Sequence, residues 1–170
     1  MTAPPPDIDT TLTLRAELEF IYDACAPQFL ACAVSIVGCR DRAEDAIHEA
    51  FCRLLKLDER PRNLKAFAFR SVRNAAIDIL RRDGRFVELD ESVFVSGAAG
   101  PLESAQTNEF RAQVAAALGT LPPDERETII QHVYGGLTLR EIAEMRDAPP
   151  GTIATWYRRG MEKLRRSLKE

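Results

Sequence analysis

The stretch from Leu121 to Glu170 constrains this chain most, because it can fold in few ways other than as two helices around a tight turn. Thr138 with Glu141 three residues later forms a capping box, and the helix it opens puts Leu139, Ile142 and Ala143 on one face. Asp147-Ala148-Pro149-Pro150-Gly151 cannot continue that helix, since two prolines and a glycine break the hydrogen-bond ladder. A second helix, capped by Thr152, keeps Ile153, Tyr157, Met161 and Leu164 in period and leaves Arg158, Arg159, Lys163, Arg165 and Arg166 outside. A basic second helix after a tight turn is the arrangement that enters a major groove. Any helical hairpin with a basic surface shares these features, so the rest of the chain has to decide.

Charge is unevenly placed. The 170 residues carry a net charge of −3, which argues against a non-specific coater of nucleic acid. Yet Arg62 to Arg85 holds seven Arg and Lys against two Asp, and Arg158 to Glu170 holds six against two Glu. Two local basic surfaces on an acidic chain suit contact with a polyanion at two places. No apolar run approaches the roughly 20 residues needed to span a bilayer, and MTAPPPDIDT has no signal-peptide features. The expected location is the cytoplasm.

Cys25, Cys32 and Cys39 recur every seven residues, about 10.5 Å apart along a helix and too far for a disulfide. With Cys52 they also lack the spacing of a zinc site, so they are expected to be small buried thiols, with Cys39 the most exposed. No metal or other cofactor is called for.

Along the chain, Leu14, Leu18, Ile21 and Tyr22 stripe a first helix, and Pro27 suits the first residue of a second that ends at Gly38. Asp41 and Glu44 read as the capping box of a third. Asn63 caps a fourth, LKAFAFRSVRNAAIDILRR, which is two-faced. Leu64, Phe67, Ala68, Val72 and Ala76 lie on one side, and Arg70, Arg73, Asn74, Asp78 and Arg81 on the other. Arg and Asn in one stripe with Phe69 nearby can offer phosphate contacts and handles for bases, although most charged stripes are simply solvated faces. A helix capped by Asp124 and Glu127 is expected to run to Gly135-Gly136. The expected fold is all-α: a disordered tail over 1–11, a helical bundle over 12–84, a flexible linker over 85–104 and a helix-turn-helix domain over 105–170.

Laid out in this order, the chain resembles a bacterial RNA polymerase sigma factor of the extracytoplasmic-function (ECF) type, over about residues 12 to 168. RAEDAIHEAFCRLLK resembles the family's core-polymerase helix. NLKAFAFRSVRNAAIDILRR resembles its minus-ten helix, matching at Phe67, Phe69, Arg70, Arg73, Asn74, Ile77 and Asp78. LPPDERETIIQHVYGGLTLREIAE and PPGTIATWYRRGMEKLRR resemble its minus-thirty-five domain. The resemblance implies promoter-specific initiation with core RNA polymerase and promoter DNA as partners, and it leaves room for an anti-sigma factor. It implies that Asp45, His48, Glu49, Phe51 and Leu54 dock on the polymerase. Arg62, Asn63, Phe69, Arg70, Arg73, Asn74, Asp78 and Arg81 would then meet the minus-ten strand. Thr138, Thr152, Ala154, Thr155, Trp156, Arg158, Arg159 and Arg165 would meet the minus-thirty-five duplex. Such a division suits the task, since one element is read as duplex and the other as unstacked bases. Trp156 stands where many relatives have an arginine, and it is expected either to pack on the sugar-phosphate backbone or to be buried against the preceding helix, so the promoter sequence cannot be carried over.

Two other classes compete. A helix-turn-helix regulator acting without polymerase would use the C-terminal third as a dimer on a palindromic site. An enzyme is disfavoured, because the chain has no phosphate loop, no HExxH and no nucleophile elbow, and its two histidines, His48 and His132, fall on separate domains.

Overall fold

Asn63 opens α3 (Leu64–Asp83) by accepting a hydrogen bond from the Ala66 amide at 3.0 Å, and Gly84 closes it in the left-handed region at φ 59°. Both ends fall where the sequence places them. The computed structural model describes residues 8–84 and 105–169. In that region α3 packs against α1 (Ile8–Val37) and α2 (Arg40–Leu54) to form the N-terminal bundle. The C-terminal part contains α4 (Ala105–Gly119), α5 (Pro123–Ile129), a π-helical turn (Ile130–Tyr134), α6 (Leu139–Arg146) and α7 (Pro150–Ser167). Secondary structure among the described residues is helical throughout.

Several local expectations need correction. The two helices expected on either side of Pro27 are one continuous α1, which already starts at Ile8 within the stretch expected to be a tail. Residues 1–7 and 85–104, the rest of the tail and the expected linker, lie outside the described residues. Asp41 does not cap α2, whose N-cap is Cys39, and Glu44 pairs with Arg40 at 2.7 Å instead. Asp124 does not cap α5, because Pro122 takes the N-cap position. Likewise Thr152 lies inside α7, which starts at Pro150 after Asp147 turns the chain at φ 51°. Thr138 and Glu141 do form the full capping box, with Glu141 N donating to Thr138 Oγ1 at 3.1 Å.

α1 also overturns the expectation of no long apolar run. Thr13–Val37 is long and apolar enough to cross a bilayer by length and composition. Its Leu14, Leu18, Phe29, Val34 and Val37 are instead spent on the core, against α2 and α3. Among the cysteines, Cys25 and Cys32 are buried, Cys39 is half-buried, and Cys52 rather than Cys39 is exposed.

Burial does not follow the expected domain boundary. Leu137, Ile142, Ala143, Met145 and Ile153 from the C-terminal part belong to the same apolar cluster as α1, α2 and α3. A smaller cluster of Ala117, Leu118, Leu121, Ile129 and Leu164 joins α4, α5 and α7. Gly160 lets α5 and α7 approach closely, since a Cβ there would stand 2.6 Å from Ile129 Cδ1. The two halves are thus packed face to face across a seam formed by α1 and α3 on one side and α5, the π turn and α6 on the other.

Candidate nucleic-acid interface

The two-faced character of α3 is borne out in burial. Leu64, Ala68, Val72, Ala75 and Ala76 are buried, while Arg70, Asn74 and Arg81 are exposed on the other side. Phe69 is the correction. It is fully buried, with its ring 4.3 Å from that of Phe29, so it is a core residue with no face free to stack on a base. The packed aromatic pair is worth more to the fold than an exposed ring would be.

Arg73 lies on the polar stripe and is not free. Its Nε donates to Glu127 Oε2 at 2.7 Å across the seam, with the two side chains 18% and 8% exposed. At that depth each charge needs the other, and removing one partner of such a pair costs about 3–5 kcal/mol. Arg146 approaches the same carboxylate at 3.9 Å and also donates to Thr128 Oγ1 at 3.2 Å and to Asp124. Arg126 Nη2 donates to the Ser35 carbonyl at 3.0 Å, and Gln131 Nε2 points to Cys32 Sγ at 3.7 Å. Burial pushes the Cys32 thiol up to about 12, and the nearby Glu127 charge adds to the shift. Among the described residues, Gln131 Oε1 and Arg126 Nε are buried there without a hydrogen-bond partner, each costing about 1–3 kcal/mol that water would relieve.

At the start of α3, Arg62 is exposed, but Asn63 is engaged twice, since its Nδ2 donates to Glu141 of α6. Burial alone would raise the Glu141 carboxyl. The Thr138 amide and hydroxyl, Asn63 and the Lys65 charge outweigh it and hold the group below its ordinary range. A cleft of about 1040 Å³ opens here between α1, the 57–63 loop, α3 and α6, with Arg62, Lys65, Arg70 and Arg140 on its walls and Phe67 and Met145 among its apolar lining.

The hairpin of α6 and α7 presents Ala154, Arg158, Arg159 and Arg165 to solvent, with Thr152 and Thr155 half-buried. Thr155 Oγ1 donates to the Gly151 carbonyl at 2.8 Å, and the Thr138 hydroxyl is consumed by its capping box. Trp156 packs inward, part of the apolar cluster, with the Arg146 guanidinium 4.7 Å from its ring centroid. The position where relatives were expected to carry an arginine is therefore a shelf inside the hairpin, and of the two expectations for Trp156 the structure takes packing against the preceding helix rather than contact with the duplex.

On α2, Asp45 and His48 are exposed, and His48 Nε2 lies 3.6 Å from Cys52 Sγ. Glu49 is held by Arg53 of its own helix and by Arg82 of α3 at 3.1 Å. Phe51 is half-buried, edge-on to Tyr22 and Phe29 at 5.1 and 5.3 Å. Leu54 is 1% exposed, so it supports the helix from inside and presents no docking surface, contrary to the expectation for it.

Sequence reasoning missed the seam. Glu127 and Gln131, four residues apart and flanking the buried Ile129 and Ile130, were its available signal, because polar residues on a core-facing stripe need partners from elsewhere.

Known proteins match over the same segments. The model for sigma-70 region 2 matches residues 21–86, and that for sigma-70 region 4 matches residues 111–164. The ECF RNA polymerase sigma factor EcfG of Rhodopseudomonas palustris is 31% identical over 147 residues, 83% of this chain and 79% of the relative. SigW of Bacillus subtilis, also an ECF RNA polymerase sigma factor, is 28% identical over 149 residues, 79% of this chain and 80% of its own. Among solved structures, the sigma factor RpoE of Bartonella quintana, in complex with the anti-sigma factor NepR, superposes with a TM-score of 0.71 at 26% identity, covering 92% of this chain and 97% of that one.

Proposed function

The chain belongs to the ECF RNA polymerase sigma factors, and from that premise we propose how its own residues divide the work of promoter recognition. As a sigma factor it directs promoter-specific initiation, binding core RNA polymerase and promoter DNA. It supplies recognition, while the bond-making chemistry belongs to the polymerase, and its place of action is the cytoplasm.

The observation that carries the residue assignment is the split surface of α3, core on one side and Arg70, Asn74 and Arg81 exposed on the other. Arginines along a helix hold a phosphate backbone, and an amide between them can bond to the edge of an unstacked base. Arg62 extends this surface at the helix start, and Arg73 and Asn63 join it when freed from Glu127 and Glu141. Asp78 sits half-buried on the same helix, in one stripe with Arg70, Asn74 and Arg81. The minus-thirty-five duplex is met by Ala154, Thr155, Arg158 and Arg159 near the start of α7, with Arg165 on the phosphates further along. Ala154 and Thr155 supply the methyl groups that suit a thymine. Thr138 and Thr152 contribute by shaping the hairpin. Asp45, His48 and the rim of Phe51 form the polymerase-facing side of α2, with Glu49 fixed beside them by Arg82. The domain boundaries at 12–84 and 105–170 describe two recognition units. An anti-sigma factor is a further partner by analogy with the RpoE–NepR pair.

Run-off transcription with sigma-free core polymerase tests this, using the region upstream of the chain's own gene and fragmented genomic DNA as templates. Defined transcripts that require this chain are expected. A dimeric gel shift without polymerase, and no transcripts, would turn the case toward a polymerase-independent regulator.

A further inference from the structure

We propose that Cys52 is a reactive thiol activated by His48, and that its exchange with a small-molecule disulfide blocks the polymerase-facing side of α2. This rests on the assignment of that side to core polymerase made above. His48 Nε2 lies 3.6 Å from Cys52 Sγ, one helical turn apart, and both residues are exposed. In the tautomer that carries its proton on Nδ1, the imidazole accepts the S–H and takes its proton as the thiolate forms. A nucleophile and a base within reach of each other is the pairing that activates a cysteine. Of the charged groups nearby, Asp45 stands three residues before His48 and Lys56 four after Cys52, while Glu49 is tied to Arg53 of α2 and Arg82 of α3.

The other three cysteines are less accessible. Cys25 and Cys32 are buried, and burial pushes the Cys32 thiol up to about 12, so it stays protonated. Cys39 is half-buried at the N-cap of α2. Cys52 is also placed where an adduct has consequences. With Asp45, His48 and Leu55 it follows the i, i+3, i+7, i+10 spacing of one helix face, and Leu55 at the C-cap is 48% exposed. A group of tripeptide size on Cys52 therefore stands beside His48 and across the docking stripe. The disulfide is itself the oxidant. The Cys52 thiolate attacks one of its sulfurs, the reagent's S–S bond breaks as the bond to Cys52 Sγ forms, and the released half leaves as a thiolate that takes the proton from His48. Cys52 is oxidised and the released half is reduced. Excess free thiol runs the same step backwards.

Oxidised glutathione is the probe, added to the full reduced chain at pH 7, with adducts mapped peptide by peptide. Cys52 should be modified first, with Cys39 lagging and Cys25 and Cys32 untouched. In His48→Gln the exchange at Cys52 should slow about tenfold or more at pH 7. That gap should narrow at about pH 9, where solvent strips an ordinary thiol of its proton unaided. A purely structural effect of the substitution would not close with pH. The modified chain, freed of reagent, should bind core polymerase about tenfold or more weakly, because a charged adduct resists burial in a protein interface. Dithiothreitol should restore binding, and Cys52→Ser should bind equally before and after the same treatment. Adducts at Cys39 as fast as at Cys52, or equal rates in wild type and His48→Gln at pH 7, would overturn the activated thiol. Undiminished core binding by the Cys52 adduct would overturn the block. If the reduced chain itself did not bind core polymerase, the assignment of α2 would fall and the block with it, while the adduct map would still decide the chemistry at Cys52.

Discussion

Arg146 lies over the Trp156 ring, 4.7 Å from its centroid, and this pair links the two helices of the DNA-binding hairpin. The arginine side chain is 4% exposed and is also tied to Asp124, so the indole covers a charge that has left water. A desolvated cation over an aromatic face contributes up to about 2 kcal/mol. Trp156→Ala should destabilise the chain by about 3–5 kcal/mol, the usual cost of deleting a large packed aromatic. Trp156→Phe should restore most of that loss, as judged by thermal unfolding followed by circular dichroism. If Trp156→Ala left stability intact and weakened only duplex binding, the shelf role would be wrong.

Phe69 and Arg70 are neighbours in sequence with opposite fates, one fully buried and one exposed. Phe69→Ala should cost about 3–5 kcal/mol in denaturant unfolding, because the ring fills the core against Phe29. Arg70→Ala combined with Asn74→Ala should leave unfolding within about 0.5 kcal/mol of wild type. The double variant should still bind core polymerase yet fail to open promoter DNA, measured by permanganate reactivity of unpaired thymines. Normal opening by that variant would remove the exposed face of α3 from the minus-ten assignment.

The helical pattern, the α3 caps, the Thr138–Glu141 box and the order of the two basic surfaces were all legible in the sequence. Each follows from local rules that act within a few residues. Phe69 was misread because the resemblance drew it to the bases, although its place three residues before Val72 and seven before Ala76 puts it on the buried stripe. Leu54 was taken as a contact residue by resemblance, and Trp156, a departure from the family pattern, was left between the duplex and the preceding helix, whereas packing from the bundle and from α6 decides both. Asp124 and Glu127 looked like a cap because their spacing fits one. Glu127 had a stronger partner 54 residues away, and no local rule reveals that. The π turn after Ile129 escaped for a related reason, since it shifts the register by one residue and turns Gln131 inward while leaving Val133 exposed.

That π turn depends on Gly135. A Cβ at this position would stand 2.5 Å from the Gln131 carbonyl oxygen, a backbone atom that cannot swing aside as a side chain can. Gly135→Ala should therefore destabilise the chain by about 1–3 kcal/mol through overpacking, even though alanine is the better helix former. The loss should appear as a lower melting temperature. A neutral or stabilising outcome would mean that the turn relaxes to an ordinary α-helical one without cost.

Glu141 makes the seam acid-sensitive. Its carboxyl is held below the ordinary value of 4.5 by the Thr138 amide and hydroxyl, by Asn63 and by the Lys65 charge. A folded-state pKa lower than the unfolded one means the unfolded chain binds the proton more readily. The stabilisation is thus complete above the unfolded value and is lost as pH falls through the lowered folded one. Wild type should exceed Glu141→Gln in stability at pH 6 to 7, and the gap should close in acid below about pH 4.5, as folded Glu141 takes up its proton. Thr138→Ala removes the hydroxyl partner and should cost about 0.5–2 kcal/mol while flattening the same acid limb. Urea unfolding of the three chains across this pH range measures both effects. A gap that persisted unchanged into acid would show that Glu141 acts through its shape and hydrogen bonding rather than its charge. The tie from Asn63 to α6 would then be independent of ionisation.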